Sequence, residues 1–370
     1  MEDVFRFADD LGPYRIVHIH QPAVGLRAVV AIDNVACGPS LGGVRMAPDV
    51  STEEAFRLAR AMTLKNAAAG LPLGGGKSVM FADPKMPIAQ KERLIRAFAS
   101  AIGELSDYIP GPDMGTDEVA MAWIHDEIGR AVGLPQEIGG IPLDEIGATG
   151  FGLAAAIEVA SSRIGLDLKG ARVAVQGFGS VGKHAARFLG DKGAMLVAAS
   201  DSNGTIVAPE GLDVSALIAL KTNGRSVKEY GRGRALGPDA VIDVICDIWI
   251  PAARPDVITA ANVGRLNARI VAQGANIPCT AEAEQALAKR GVLVLPDFIV
   301  NAGGVICAAT EYEGGTQIQA FAVIDEKIRA NTAAVLDEAK RTDSLPRAAA
   351  TSLAVAHVKR AMQTRRWGPR

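Results

Sequence analysis

No run of apolar residues in this 370-residue chain approaches the roughly 18 to 20 needed to cross a bilayer, so a membrane-spanning protein is not expected. Basic charge is in no excess either: 39 Lys and Arg stand against 41 Asp and Glu, a formal charge of −2. That leaves no electrostatic footprint for nucleic acid or an anionic membrane. The one basic stretch, "TRRWGPR" at the end, reads as solvated surface rather than a nucleic-acid arm. Cys37, Cys246, Cys279 and Cys307 lack C-x-x-C spacing; they suggest packing residues, not a zinc site or a disulfide framework. The five histidines contain no H-E-x-x-H, and His18 and His20, two apart on a strand, share one polar sheet face more readily than a metal. The start, "MEDVFRFADD", is acidic where a signal peptide would be basic, and a cytoplasmic location is expected.

What is present points to an α/β protein. Nearly half the residues are hydrophobic, 49%, and only 5% are aromatic. The length exceeds one ordinary core and fits two domains of roughly 150 residues, with a cleft between them. The stretch "LPLGGGKSVM" at 71–80 brings three glycines to a lysine and a serine, yet it is no P-loop. G-x-x-x-x-G-K-[ST] needs a glycine where Leu71 stands. "GFGSVGKH" from Gly177 fails too, because His184 replaces the metal-binding hydroxyl.

In the first half, "YRIVHIHQ" and "LRAVVAIDN" read as strands around Gly25, and "STEEAFRLARAMTLKNAAAG" as a helix. Ser51 and Glu54 make a capping box and Gly70 a stop. Phe56, Ala59 and Met62 recur at the spacing of a buried stripe. Lys65, in the last turn, can serve the helix C-terminus, but it also precedes Lys77 by one short loop. "SVMFADP" is a strand, a helix from about Lys91 to Ser106 follows, and "YIPGPDMGTDE" displays Asp113 on a loop.

After "GATGFG" the pattern changes. "ARVAVQ" runs into G-x-G-x-x-G (Gly177, Gly179, Gly182, with Ser180 and Val181 between the last two) and then an amphipathic helix. "MLVAASD" supplies the next strand and places Asp201 at its end, 24 residues beyond Gly177. This is the unit of a dinucleotide-binding Rossmann domain: the first glycine for the tight turn, the second for close approach of the pyrophosphate, the third for helix–strand packing. Asp201 is placed to accept the ribose 2′-hydroxyl and repel a 2′-phosphate, so NAD is expected over NADP. Further strands at "AVIDVICDIWIP", "ARIVAQGAN" and "GVLVLPDFIVNAGG" extend a doubly wound parallel sheet. Asn276 and Asn301 each follow one of them, either as turn residues or at the carboxyl edge where a nicotinamide would lie.

Together, "GPSLGGVRM", "MTLKNAAAGLPLGGGK", "GPDMGTDE", "GATGFG", "VAVQGFGSVG", "QGAN" and "NAGGV" closely resemble the glutamate/leucine/phenylalanine/valine dehydrogenases, over about residues 14 to 330. The resemblance implies reversible oxidative deamination of an amino acid to the 2-oxo acid and ammonia. It also implies that Lys65 binds the α-carboxylate, that Lys77 and Asp113 are catalytic, and that Thr149, Asn276 and Asn301 lie near the nicotinamide. A homo-oligomer is implied as well, with a substrate domain over 1–147, a Rossmann domain over 148–329, and the last helical stretch, from about Ala330, packing back onto the first domain. A lysine desolvated beside another cation has its pKa lowered towards neutrality, which suits Lys77 to take a proton from an attacking water. Asp113 can shuttle protons at the amino nitrogen. Gly74, Gly75 and Gly76 are expected to let the backbone approach the substrate.

The halves lean differently on substrate. Up to Asp113 the chain is most like leucine and phenylalanine dehydrogenases, and from "IGGIPLDEIGATGFG" onward closer to glutamate dehydrogenases. By the same resemblance Leu41, Gly111, Val305 and Ala308 line the side-chain pocket, and the lysine and serine that glutamate enzymes carry at the positions of Leu41 and Ala308 are missing. An apolar L-amino acid is therefore expected, with phenylalanine at least competitive with leucine and valine. Glutamate is the alternative, and a catalytically inactive NAD-binding sensor or structural oligomer is the alternative of another class.

Overall fold

The computed structural model describes residues 5–364, so the basic tail beyond Thr364 lies outside them. The first half folds as β1 (Arg15–Gln21), β2 (Leu26–Asn34), β3 (Ser40–Ala47), α1 (Thr52–Ala68), β4 (Gly74–Phe81), α2 (Ile88–Ala101), β5 (Tyr108–Pro112) and α3 (Glu118–Ile128). Its sheet has the order β1-β2-β4-β3-β5; β1, β2 and β4 are antiparallel, while β3 runs parallel to β4 and β5. The two-residue period sends Val44, Met46, Met80 and Tyr108 into a core shared with Phe98 of α2 and Ile124 of α3. The opposite face packs on α1, where Val79 meets Ala55 and Ala59.

The capping expectation for α1 is half met. Ser51 accepts from the Glu54 N–H at 3.0 Å, but the Glu54 carboxylate accepts from Arg45. The buried stripe is Ala55, Ala59, Thr63 and Ala67, not Phe56 and Met62. The cause is the glycine run opposite. A Cβ on Gly75 would lie 2.1 Å from the Thr63 nitrogen and 2.5 Å from the Ala59 oxygen, so the helix sits almost on the strand and admits only small side chains. Phe56 instead stacks on Phe7, centroids 4.9 Å apart. The glycines therefore serve the protein's own packing rather than a substrate, and they belong to strand β4 rather than to a loop. Gly74 faces the Asn34 carbonyl and Gly76 the Tyr108 ring in the same way.

The second half runs α4 (Leu143–Ile146), α5 (Ala148–Arg163), β6 (Arg172–Gln176), α6 (Ser180–Asp191), β7 (Met195–Asp201), β8 (Gly204–Val207), α7 (Val214–Thr222), β9 (Arg234–Leu236), β10 (Ile248–Pro251), β11 (Ile270–Ala272), α8 (Ala281–Lys289), β12 (Leu293–Leu295) and α9 (Asp297–Val300). Three more helices follow: α10 (Gly303–Tyr312), α11 (Gln317–Thr342) and α12 (Pro346–Thr364). The sheet order is β12-β11-β10-β6-β7-β8-β9. The five strands from β12 to β7 are parallel, as in a doubly wound fold, and β8 and β9 extend the sheet antiparallel. One expected strand end is corrected. Pro296, which has no N–H for a ladder, closes β12, and Asn301 caps the short helix α9 instead.

The chain divides into two compact units, one up to Pro142 with Val305–Ala320 and the stretch from Thr351, the other Leu143–Gly304 with Phe321–Ala350. This differs from the expectation that everything beyond about Ala330 joins the first domain. Most of α11 stays with the second unit because Arg329 bonds Glu158 of α5 at 2.5 Å, Asp337 pairs with Arg163, and Phe321 packs edge-on to Phe151. Only the part of α12 from Thr351 onward changes sides, seating Ala354 and Val358 against Leu11 and Ala67. In the first unit, the buried Glu311 accepts from the N–H groups of Gly133, Leu134 and Ile141 at 2.7 to 3.1 Å, which fixes α10 there.

Candidate active site

Within the first unit, alternation along three neighbouring strands gathers the expected catalytic residues. Leu41, Gly43 and Arg45 of β3 and Lys77 of β4 point to the α1 side, because their neighbours Val44, Met46 and Met80 fill the opposite core. Gly43 pairs with Gly111 of β5, and the register of Leu41 with Gly75 and Val44 with Ser78 sets Gly43 beside Lys77. Lys77 thus crosses over β3 to Asp113, just beyond β5, and the two form an ion pair. The crossing explains Gly43. A Cβ there would lie 2.7 Å from Asp113 Cβ and 3.0 Å from its Oδ2.

Asp113 is held on several sides. Arg45 Nη2 lies 3.3 Å from Oδ1, and the same guanidinium reaches Glu54 of α1 at 2.5 Å. The Met114 N–H donates to Oδ1, the Asp113 N–H donates to Thr116 Oγ1 at 3.0 Å, and that hydroxyl donates to the Val44 carbonyl at 2.7 Å. Gly115, at φ 83°, completes the turn. Arg45 was not singled out from sequence, although it stands four residues after Leu41 in the quoted "GPSLGGVRM" and so on the same strand face.

Lys77 is buried, its side chain 7% exposed. Burial first, then the charges of Arg45 and Lys65, push its pKa down to about 7, with Glu54 acting the other way. The Asp113 carboxylate in contact with it favours the ammonium form. Lys65, in the last turn of α1, is thereby placed within electrostatic reach of Lys77. Leu41 and Ala308 are buried, 3% and 7% exposed, and Val305 is half-buried. Gly111 leaves room only up to Val132, whose Cγ2 would lie 3.0 Å from an added Cβ.

In the second unit, the glycine motif has the geometry its spacing implies. Gly177 has φ 93°, a Cβ on Gly182 would lie 2.1 Å from the Gly177 carbonyl oxygen, and Gly179 faces open space at the N-terminus of α6. Ser180, the first residue of α6, donates to the Asp144 carbonyl, and Val181 follows it. A polar cavity of about 270 Å³ lined in part by Gln176, Trp249, Arg254 and Asp256 opens beside the ends of β6 and β10. Those two strands flank the topological switch point, where doubly wound sheets bind ligands. Thr149, in the first turn of α5, lies beside Gly304. Asn301 donates to Asn276 Oδ1 at 2.9 Å, and its own Oδ1 is buried without a protein partner.

Asp201, at the end of β7, is bonded within the second unit. Its Oδ1 accepts from Asn203 N and Ser226 Oγ, its Oδ2 from Lys221 Nζ and Val227 N, all at 2.9 Å. Burial alone would raise its pKa, but Lys221 and the other donors outweigh it and hold the carboxyl at about 2. Each of its two oxygens thus already accepts two hydrogen bonds. Among the described residues no cluster of metal-ligating side chains occurs, and no helix is long and apolar enough to cross a membrane.

A two-domain α/β fold with a Rossmann glycine motif and a buried, pKa-lowered lysine paired with an aspartate defines a nicotinamide-dependent dehydrogenase of the amine-oxidising kind. The model of the Glutamate/Leucine/Phenylalanine/Valine dehydrogenase family matches residues 139–366, and that of its dimerisation domain matches 13–130. The chain belongs to this family of amino acid dehydrogenases, which act on CH–NH2 donors. Similar curated proteins are glutamate dehydrogenases of Aeropyrum pernix, 39% identical over 90% of this chain and 85% of its own length, and of Thermotoga maritima, 42% over 75% and 70%. A third is the NADP-specific glutamate dehydrogenase of Saccharolobus shibatae, 35% over 90% and 83%. Among solved structures, the hetero-hexameric glutamate dehydrogenase of Thermus thermophilus in a Leu-bound form is 31% identical with a TM-score of 0.85, covering 96% of this chain and 91% of its own. The L-tryptophan dehydrogenase of Nostoc punctiforme is 28% identical with a TM-score of 0.75, covering 95% and 97%.

Proposed function

We propose that this chain catalyses the reversible oxidative deamination of an apolar L-amino acid, with Lys77 and Asp113 as the acid–base pair, in an oligomer of the family's kind. The bound nicotinamide nucleotide supplies the hydride acceptor. The chain's own part is to bind the α-carboxylate at Lys65, to take a proton from the attacking water at Lys77 Nζ, and to move protons to and from the amino nitrogen at the Asp113 carboxylate. The Lys77–Asp113 contact is the observation that carries this reading. It also bears against an inactive sensor, which has no need of a desolvated lysine. Lys77 must be neutral to accept a proton, so kcat for deamination should fall below about pH 7 as the amine takes up a single proton. Arg45→Gln removes a charge that lowers that pKa, and should move the acid limb to higher pH. A pH profile unchanged by Arg45→Gln would contradict the assignment.

On the amino acid's side chain, the names of the relatives support glutamate better than an apolar group, since the three curated relatives named above are glutamate dehydrogenases. That is the second reading. The apolar reading rests on Leu41 and Ala308, both buried and without a polar side-chain atom. A reaction follows the shared acid–base pair, whereas substrate choice follows a few pocket groups. A buried γ-carboxylate facing Leu41 and Ala308 would lack partners from both positions. The L-tryptophan dehydrogenase among the similar structures is in keeping with a large apolar substrate on this fold. Rates of nucleotide reduction with glutamate and with apolar amino acids separate the two readings.

For the cofactor, the orphaned Asn301 Oδ1 suits a carboxamide N–H, and the open space at Gly179 suits a pyrophosphate. Because Asp201 is occupied and Lys221 stands on it, we expect NADP to be accepted alongside NAD, with kcat/KM values within about tenfold of each other. Lys221→Ala should lower kcat/KM for NADP more than for NAD. A preference for NAD above about a hundredfold in the unmodified protein would show that Asp201 reads the ribose after all.

A further inference from the structure

Away from the catalytic pair, the second unit contains a buried polar cluster with no part in the account above. Its centre is Arg347, at the start of α12. Its Nε lies 2.8 and 3.0 Å from the two oxygens of Glu284, its Nη2 donates to Gln273 Oε1 at 2.9 Å, and its Nη1 is 2.8 Å from Asp297 Oδ1. Gln273, Glu284 and Asp297 are 0%, 4% and 5% exposed, and Gln273 also donates to Glu284. Burial works against the guanidinium's charge, but Asp297 and Glu284 outweigh it and raise the pKa of Arg347. Two buried carboxylates thus share one cation, which is costly to build for stability alone.

The cluster borders the asparagine pair directly. Asp297 turns its other oxygen to the Ile277 N–H at 2.8 Å. Ile277 has φ 48°, a left-handed conformation that a β-branched residue adopts only under restraint. The residue before it is Asn276, bonded to Asn301, and Asn301 in turn donates to the Gly274 carbonyl at 3.3 Å, next to Gln273. Arg347 therefore grips both ends of the 273–277 turn, at one end through Gln273 and at the other through Asp297.

We propose that Arg347 is a positioning residue for the nicotinamide: by holding Gln273 and Asp297 it fixes the strained turn that presents Asn276 and Asn301. The proposal rests on the reading of those asparagines as nicotinamide-side residues. Removing the guanidinium leaves Asp297 without its counter-ion and frees the turn, and displacements of about 1 Å at a reacting group cost up to roughly 10² in rate.

The test compares Arg347→Ala, Arg347→Lys and Asn276→Ala in the full-length protein, with NAD and the best amino-acid substrate. Arg347→Ala should raise the NAD KM and lower kcat by about tenfold or more, leave the amino-acid KM within about twofold, and recover with added guanidinium. A part that only stabilises the fold would lower the melting temperature, with kcat per folded molecule and the NAD KM unchanged. If Arg347→Ala does not fold, Arg347→Lys decides. It keeps the charge but not the fork that reaches three side chains at once, and should show the same split in milder form. Normal NAD kinetics in the folded Arg347 variants, with Asn276→Ala impaired, would overturn the positioning role. Normal kinetics in Asn276→Ala would overturn the asparagine reading and the proposal with it.

Discussion

Replacing Lys77 by Ala, or Asp113 by Asn, is expected to lower kcat for deamination by at least about 10², because a positioned acid or base contributes roughly 10² to 10⁴. Nucleotide binding should change little, since neither side chain belongs to the Rossmann unit. The two losses should not add. Lys77 and Asp113 are in direct contact, so the double variant should be only modestly worse than either single one. Lys65→Ala should behave differently, chiefly raising the amino-acid KM by removing a carboxylate partner. Steady-state kinetics of the three variants check this. Near-normal turnover in Lys77→Ala would remove the lysine from the mechanism.

The second large effect concerns substrate choice. Leu41→Lys combined with Ala308→Ser adds a cation and a hydroxyl donor at two buried positions. The ratio of kcat/KM for glutamate to that for phenylalanine should then rise by about 10² or more, because an unpaired buried carboxylate costs several kcal/mol and a paired one far less. Each substitution alone should do less than half of this on a logarithmic scale, since the lysine without the hydroxyl leaves one oxygen unserved. A double variant whose ratio stays within about threefold of the original would place the side-chain pocket elsewhere.

Much of this was legible in the sequence because it follows from local rules. The strand, G-x-G-x-x-G and helix unit needs no distant contact to be recognised, and Gly177 and Gly182 stand in the tight places their spacing implies. Lys77 and Asp113 could be named from their motifs, but not joined. Their contact depends on β3 lying between β4 and β5, and Gly43 is needed only because a side chain has to cross there. What stayed hidden was set by contacts distant in sequence. The buried face of α1 is governed by the approach of Gly75 rather than by hydrophobic period, which is why Phe56 and Met62 misled. Asp201 reads as a free ribose acceptor until Lys221, Ser226 and Val227 return to it. Arg347 lies 50 residues beyond Asp297, on a helix that sequence assigned to the other domain.

The most direct measurement is the rate of NAD reduction by the unmodified protein across a panel of phenylalanine, leucine, valine, tryptophan and glutamate. Turnover that falls below about pH 7, with kcat/KM for the best apolar amino acid exceeding that for glutamate by at least about tenfold, is the predicted result. A higher kcat/KM for glutamate than for every apolar amino acid would contradict it, and would place this chain's specificity with that of its curated relatives.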